Sequence, residues 1–113
     1  MPYIEVKTNK AVSGELARDI SATLDNLIPI LPGKTKDWLM TEVKGDCSLA
    51  FGGSDSPCAI ANVSLFGKAA PEAYEKLTAA LCDALSLALG IDAARIYVKY
   101  EEVSTWGWNR TNF

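Results

Sequence analysis

The chain has 113 residues, 49% of them hydrophobic and 22% charged, with 11 basic against 14 acidic residues, a net charge of -3 and no histidine. One hydrophobic core suits that length, so a single domain over residues 1–113 is expected, and the ordinary composition excludes a disordered polypeptide. Scattered basic residues and a negative net charge argue against nucleic acid as a partner; the longest apolar run, Ala79 to Leu89, is broken by Cys82, Asp83 and Ser86 and is too short for a membrane span.

In chain order, Pro2 to Thr8 reads as a strand with alternating faces and carries neither the charged leader nor the apolar stretch of a signal peptide. A cytoplasmic location is expected, with any secretion by a route that needs no signal peptide. Leu16, Ile20, Leu24, Leu27 and Leu31 then recur at helical spacing behind a Ser13 cap, which predicts a helix over about 13 to 29, closed by Pro29 and Pro32. Trp38 to Lys44 is the next strand. A Gly-rich break at Phe51-Gly52-Gly53-Ser54 separates two halves and lacks the spacing of a phosphate-binding loop. The second half repeats the order: a strand from Cys58 to Phe66, a helix from Pro71 that stops at Gly90, and a strand from Arg95 to Tyr100. Cys47, Cys58 and Cys82 fit no zinc or C-x-x-C spacing and read as reduced, small apolar residues.

Two β-α-β units joined by right-handed crossovers place both helices on one face of a shared sheet. The expected fold is α/β of the two-layer α+β kind, a pseudo-symmetric β-α-β repeat with a four-stranded sheet. On the opposite sheet face Tyr3, Glu5 and Lys7 alternate with inward Ile4 and Val6, and Arg95, Tyr97 and Lys99 alternate with inward Ile96, Val98 and Tyr100. Cys58 to Phe66 is apolar on both sides over much of its length, which predicts that its outer face is covered, most simply by a neighbouring subunit.

The lack of histidine excludes a Ser-His-Asp triad, a Cys-His pair and most zinc sites. Near neutral pH a backbone α-amine is the best matched base that remains, with a reference pKa of roughly 7.7 to 8.0. Pro2 would supply one if Met1 were trimmed, although a proline there also reads as an ordinary strand start. Lys34, by spacing alone, reads as a solvated cation or charge complement behind a helix. Tyr97 in a strand is more often packing than catalysis, and Trp106 and Trp108 also read as core or interface anchors.

Several motifs resemble the macrophage migration inhibitory factor family and run in order along the whole chain. They are Met1-Pro2, Thr8-Asn9, Gly33-Lys34, Ala50-Phe51-Gly52-Gly53-Ser54, Pro57-Cys58-Ala59, Gly67-Lys68, Arg95-Ile96-Tyr97, Gly107-Trp108-Asn109, Thr111 and Phe113. The resemblance implies a tautomerase fold assembled as a homotrimer, with active sites at the subunit boundaries, needing no cofactor and no metal. It implies keto-enol tautomerisation of phenylpyruvate-like 2-oxo acids and dopachrome analogues. Carried over by position, Pro2 is the catalytic amine and Lys34 the cation for the substrate carboxylate. Phe66 offers a backbone N–H, Tyr97 comes from the adjacent subunit, and Trp106, Trp108 and Phe113 form an aromatic wall.

Three departures from the family pattern carry information. Ala61 stands where a family member with thiol-disulfide activity has a second cysteine after the one matching Cys58, so that chemistry is not expected. Lys99 replaces a common asparagine and would add charge to the pocket, and Thr35 replaces the proline after Gly33-Lys34. A lysine about 5 Å from the Pro2 nitrogen, at an effective dielectric of about 20, disfavours its protonation by about 3 kcal/mol, or about 2 pKa units. The expected substrate is a small anion with an aromatic tail. Two other functions compete: a cytokine-like or host-modulating ligand of a cell-surface receptor, and a purely structural trimer.

Overall fold

A computed structural model describes residues 1–113. Strand β1 (Pro2–Thr8) leads to helix α1 (Gly14–Leu27), strand β2 (Met40–Lys44), strand β3 (Ala59–Phe66), helix α2 (Pro71–Leu89) and strand β4 (Ile96–Val103). A small hairpin, β5 (Gly107–Trp108) with β6 (Thr111–Asn112), closes the chain.

The helix boundaries follow local chemistry. Ser13 Oγ accepts the Leu16 N–H at 3.1 Å, which satisfies one of the donors left free in the first turn of α1. Helix α1 ends sooner than expected: Pro29 lacks an N–H, so the chain tightens into a 3₁₀ turn over Ile28–Ile30. Helix α2 begins on Pro71 and ends where Gly90 takes a left-handed φ of 66°, as the sequence predicts.

The four-stranded sheet has the order β2-β1-β3-β4. Its outer pairs are parallel and its central pair, β1 with β3, is antiparallel, running from Pro2 opposite Leu65 to Thr8 opposite Ala59. That register sets Glu5 against Asn62 at the middle of the seam and relates the two β-α-β halves by an approximate twofold. Both helices cover one face. Ile4, Val6, Ala61, Val63 and Leu65 meet Ile20, Leu24, Leu77, Leu81 and Leu85 there, all essentially excluded from water. Each large side chain so buried contributes about 1.5–3 kcal/mol of transfer free energy. Architecture and two-layer class agree with the sequence expectation.

The opposite face carries Tyr3, Glu5 and Lys7 on β1, Ile60, Asn62 and Ser64 on β3, and Tyr97, Lys99 and Glu101 on β4. Lys7 pairs with Glu5 at 3.5 Å and Lys99 with Glu101 at 3.2 Å. Asn62 Oδ1 is buried and finds no hydrogen-bond partner within the chain.

Other elements also depart from expectation, and Arg95 closes a 3₁₀ turn so that the last strand starts at Ile96. Lys36–Trp38 winds into a 3₁₀ turn, so β2 begins at Met40 rather than Trp38. Strand β4 runs on to Val103, because Glu101, Glu102 and Val103 pair with Ser64, Leu65 and Phe66. The C-terminal hairpin forms where no strand was predicted, and its turn places Asn109 and Arg110 at positive φ.

Candidate active site

The start of β1, the turn before β2 and the segment after β4 meet around a cleft of about 890 Å³. Met1, Pro2 and Tyr3 line it from one side, Trp38 and Met40 from a second, and Trp106 and Trp108 from a third. Pro2 is among the fully buried side chains. It sits opposite Leu65, whose strand continues one residue to Phe66.

Phe66 ties this region together through its backbone. Its N–H donates to the Met1 carbonyl at 3.1 Å, and its own carbonyl accepts from Lys34 Nζ at 3.0 Å. Because the Met1 carbonyl carbon is bonded to the Pro2 nitrogen, the Phe66 N–H is aimed at the space directly beside that nitrogen. Lys34 reaches the spot from the loop after α1, where the Lys34 N–H closes a turn onto Leu31 O at 3.1 Å. Burial first, and the Lys34 ammonium second, lower the pKa of the Met1 amine.

Aromatic rings continue away from this polar end. Trp38 meets Trp108 edge-on at 5.0 Å, Trp108 stacks near Phe113 at 6.3 Å, and Phe113 packs on Phe66 at 5.6 Å. The Phe113 N–H donates to Trp106 O at 3.0 Å and so fastens the C-terminal hairpin over the group. Carboxylates lie nearby as well: Asp37 lines the cleft, and the Tyr3 phenol donates to Glu5 Oε2 at 3.3 Å. Burial, then the charges of Glu42 and Glu5 and that hydrogen bond, raise the Tyr3 pKa. Lys34, bonded to Phe66 O, places a cation beside the Met1 amine at the other end of this group.

Of the residues predicted from sequence, Pro2, Lys34, Phe66, Trp106, Trp108 and Phe113 come together. Tyr97 and Lys99 do not join them within one chain. Tyr97 pairs with Ile60 and Pro2 with Leu65, a separation of roughly 17 Å along β3 at about 3.4 Å per residue. Tyr97 lies 60% exposed at the far end of the sheet, and Lys99 is held by Glu101 on the outer face. Extra charge from Lys99 in this chain's own cleft is thus not found; only a neighbouring copy can bring either residue to it.

The cleft also holds Trp38, Met40 and Asp37, which sequence reading missed as site residues. The sequence predicts Trp38 in a strand, where alternation alone would set its direction. The 3₁₀ turn instead swings its ring out to meet Trp108, and the sole signal available was a lone tryptophan shortly after Gly33-Lys34.

Comparison with known proteins agrees with this fold. The family model described as Macrophage migration inhibitory factor (MIF) matches residues 1–113. The chain is 29% identical over 118 residues to the macrophage migration inhibitory factor of Xenopus laevis, covering 100% of this chain and 99% of the relative. It is 30% identical to that of Meriones unguiculatus with the same coverage. Among solved structures, Leishmania major MIF2 superposes with a TM-score of 0.93 at 30% identity, covering 100% of this chain and 97% of that one. The homologue from Prochlorococcus marinus gives 0.82 at 25% identity, with 98% of each covered.

Proposed function

The chain belongs to the macrophage migration inhibitory factor family, and on that premise we propose that it is a cofactor-free keto-enol tautomerase of small aromatic 2-oxo acids such as phenylpyruvate. Family and fold support a tautomerase or MIF-like function in general, with an oligomeric assembly and a small-molecule substrate. The substrate class and the residue roles rest on the cleft.

One observation carries the reading: Pro2 lines the cleft, the Phe66 N–H is directed at the carbonyl bonded to the Pro2 nitrogen, and the Lys34 ammonium is held on Phe66 O. Removal of Met1 turns that nitrogen from a non-basic amide into a secondary amine. It also frees the Phe66 N–H, since the Met1 carbonyl is its acceptor. A substrate carbonyl entering the vacated space then finds a hydrogen-bond donor already in place.

The steps follow from that arrangement. Lys34 receives the carboxylate and holds the α-carbon near Pro2. The neutral Pro2 amine takes the proton from the methylene carbon next to the carbonyl; the electron pair of the broken C–H bond forms the C=C bond, and the carbonyl π pair moves onto oxygen. The Phe66 N–H stabilises the charge developing there. Return of the proton from Pro2 to that oxygen completes the enol. Trp38, Trp106 and Trp108 would cover the aromatic tail. Lys34 and the burial that lower the Met1 amine would act likewise on the Pro2 amine and keep it unprotonated near neutral pH.

Completion of the site by a neighbour is part of the proposal. A homotrimer would carry Tyr97 and Lys99 of one copy to the Pro2 cleft of the next. The outer sheet edges on β2 and β4 and the buried, partnerless Asn62 Oδ1 support a covered outer face.

The test is the enolisation rate of phenylpyruvate for the Met1-trimmed protein and a Pro2→Gly variant. The variant is expected to lose about 100-fold or more. An unchanged rate in a folded Pro2→Gly protein would overturn the proposal.

A further inference from the structure

Arg95 gathers the loop that joins the two halves of the chain. Its Nε donates to Pro57 O at 3.0 Å, Nη1 to Phe51 O at 3.3 Å, and Nη2 to Ser54 O at 3.1 Å and Ser56 O at 3.0 Å. The guanidinium also lies 5.2 Å from the centroid of the Phe51 ring. The chain's ion pairs, Lys7 with Glu5 and Lys99 with Glu101, do not include it. The fixed fork of an arginine is therefore committed to neutral carbonyls and one aromatic face, which sets the shape of the loop from Phe51 to Pro57.

That loop in turn presses on Tyr97. The Phe51 ring lies 4.8 Å from the Tyr97 ring at an angle of 52°. Arg95 ends the 3₁₀ turn that leads into β4, two positions before Tyr97, and the Phe51 ring touches both side chains. Leu49, Cys58 and Ile60 complete a small apolar pocket of about 140 Å³ against the same ring. The Tyr97 side chain is 60% exposed, and its phenol makes no hydrogen bond within the chain. A tyrosine with that exposure would ordinarily move among staggered rotamers. Here its ring is held from one side while the hydroxyl projects free.

We infer that Arg95 is a positioning residue for Tyr97: by locking the Phe51–Pro57 loop it fixes the Phe51 ring, which holds the Tyr97 phenol in the direction that a neighbouring copy's Pro2 cleft requires. The inference rests on the proposed function and on Tyr97 meeting substrate across a subunit boundary. Arginine is required because a lysine is a point donor without the fork and cannot serve this spread of carbonyls at once. The consequence belongs to substrate binding, since a phenol free to turn meets the substrate in fewer of its orientations.

The experiment measures kcat and KM for phenylpyruvate enolisation in the assembled Met1-trimmed protein and in Arg95→Lys, Tyr97→Phe and the double variant. Solution mass and Tm are recorded alongside. Arg95→Lys is expected to raise KM by about 3- to 10-fold, and the same substitution in the Tyr97→Phe background should add less than about twofold. Phe51→Leu removes the ring but leaves the Phe51 carbonyl for Arg95, so it should reproduce the KM effect and the same non-additivity if Arg95→Lys does not fold. An equal penalty in both backgrounds, or unchanged KM in Arg95→Lys and Phe51→Leu, overturns the positioning role. Unaltered kinetics in Tyr97→Phe while Pro2→Gly is inactive also overturns it and leaves the Pro2 reading standing. A fully active Pro2→Gly protein would instead remove the proposed function itself.

Discussion

The backbone N–H of Phe66 donates to the carbonyl of Met1 at 3.1 Å, so the donor assigned to the enolate is occupied for as long as Met1 is attached. Loss of Met1 does two things at one place: it uncovers a base and empties a hydrogen-bond donor. A chain whose N-terminus is kept blocked by an uncleavable extension should fold normally yet lose about 100-fold or more in phenylpyruvate enolisation. Intact mass paired with the enolisation assay checks this, and equal rates for trimmed and extended chains would contradict it.

Lys34 should control the pH at which the proposed tautomerisation runs. A base is active when unprotonated, so kcat/KM should rise with pH through the Pro2 pKa. Burial and Lys34, which already lower the Met1 amine, should place that rise below the roughly 7.7–8.0 of a free α-amine. Lys34→Gln removes the repulsive charge, which must move the rise to higher pH; the loss of a carboxylate partner should also increase KM. A pH profile with the ascending limb unmoved in Lys34→Gln would show that this charge does not set the base.

Trp38 should govern preference for aromatic substrates. Its ring meets Trp108 at 5.0 Å and is 47% exposed at the cleft. Contacts of this kind are worth about 0.5–1.5 kcal/mol beyond the area they cover. Trp38→Ala is expected to raise KM for phenylpyruvate by about 3- to 10-fold with little change in kcat. A 2-oxo acid without a ring should be almost unaffected, and the comparison of the two substrates is the measurement.

Gly45 is a stability site with no part in the chemistry. A Cβ there would come 2.7 Å from Lys10 O and 2.8 Å from Val12 N, both backbone atoms that cannot swing aside. Gly45→Ala should cost roughly 1–3 kcal/mol, seen as a fall in Tm of roughly 5–15 °C. Gly14→Ala is the control: its nearest neighbour is the flexible tip of Arg18 at 3.5 Å, and its Tm should hardly change.

Local chemistry by itself determined two of the secondary elements. The alternation in Pro2–Thr8 and the Pro71 start with the Gly90 stop define β1 and α2 residue for residue, because each signal acts within a few positions of the backbone. The lack of histidine and the Met1-Pro2 start likewise directed attention to the amine. Tertiary pairing decided the rest. The sequence places the end of the last strand at Tyr100, yet β4 continues through Glu101 and Glu102 because β3 offers Ser64 and Leu65 as partners. Trp38 reads as strand and becomes a cleft wall because a 3₁₀ turn carries it to Trp108, a residue far away in sequence. The meeting of Lys34, Phe66 and Met1 is of the same kind: it depends on one carbonyl and one N–H held by long-range sheet register. Periodicity reports which face a residue takes; only packing of distant segments decides which residues share a cleft.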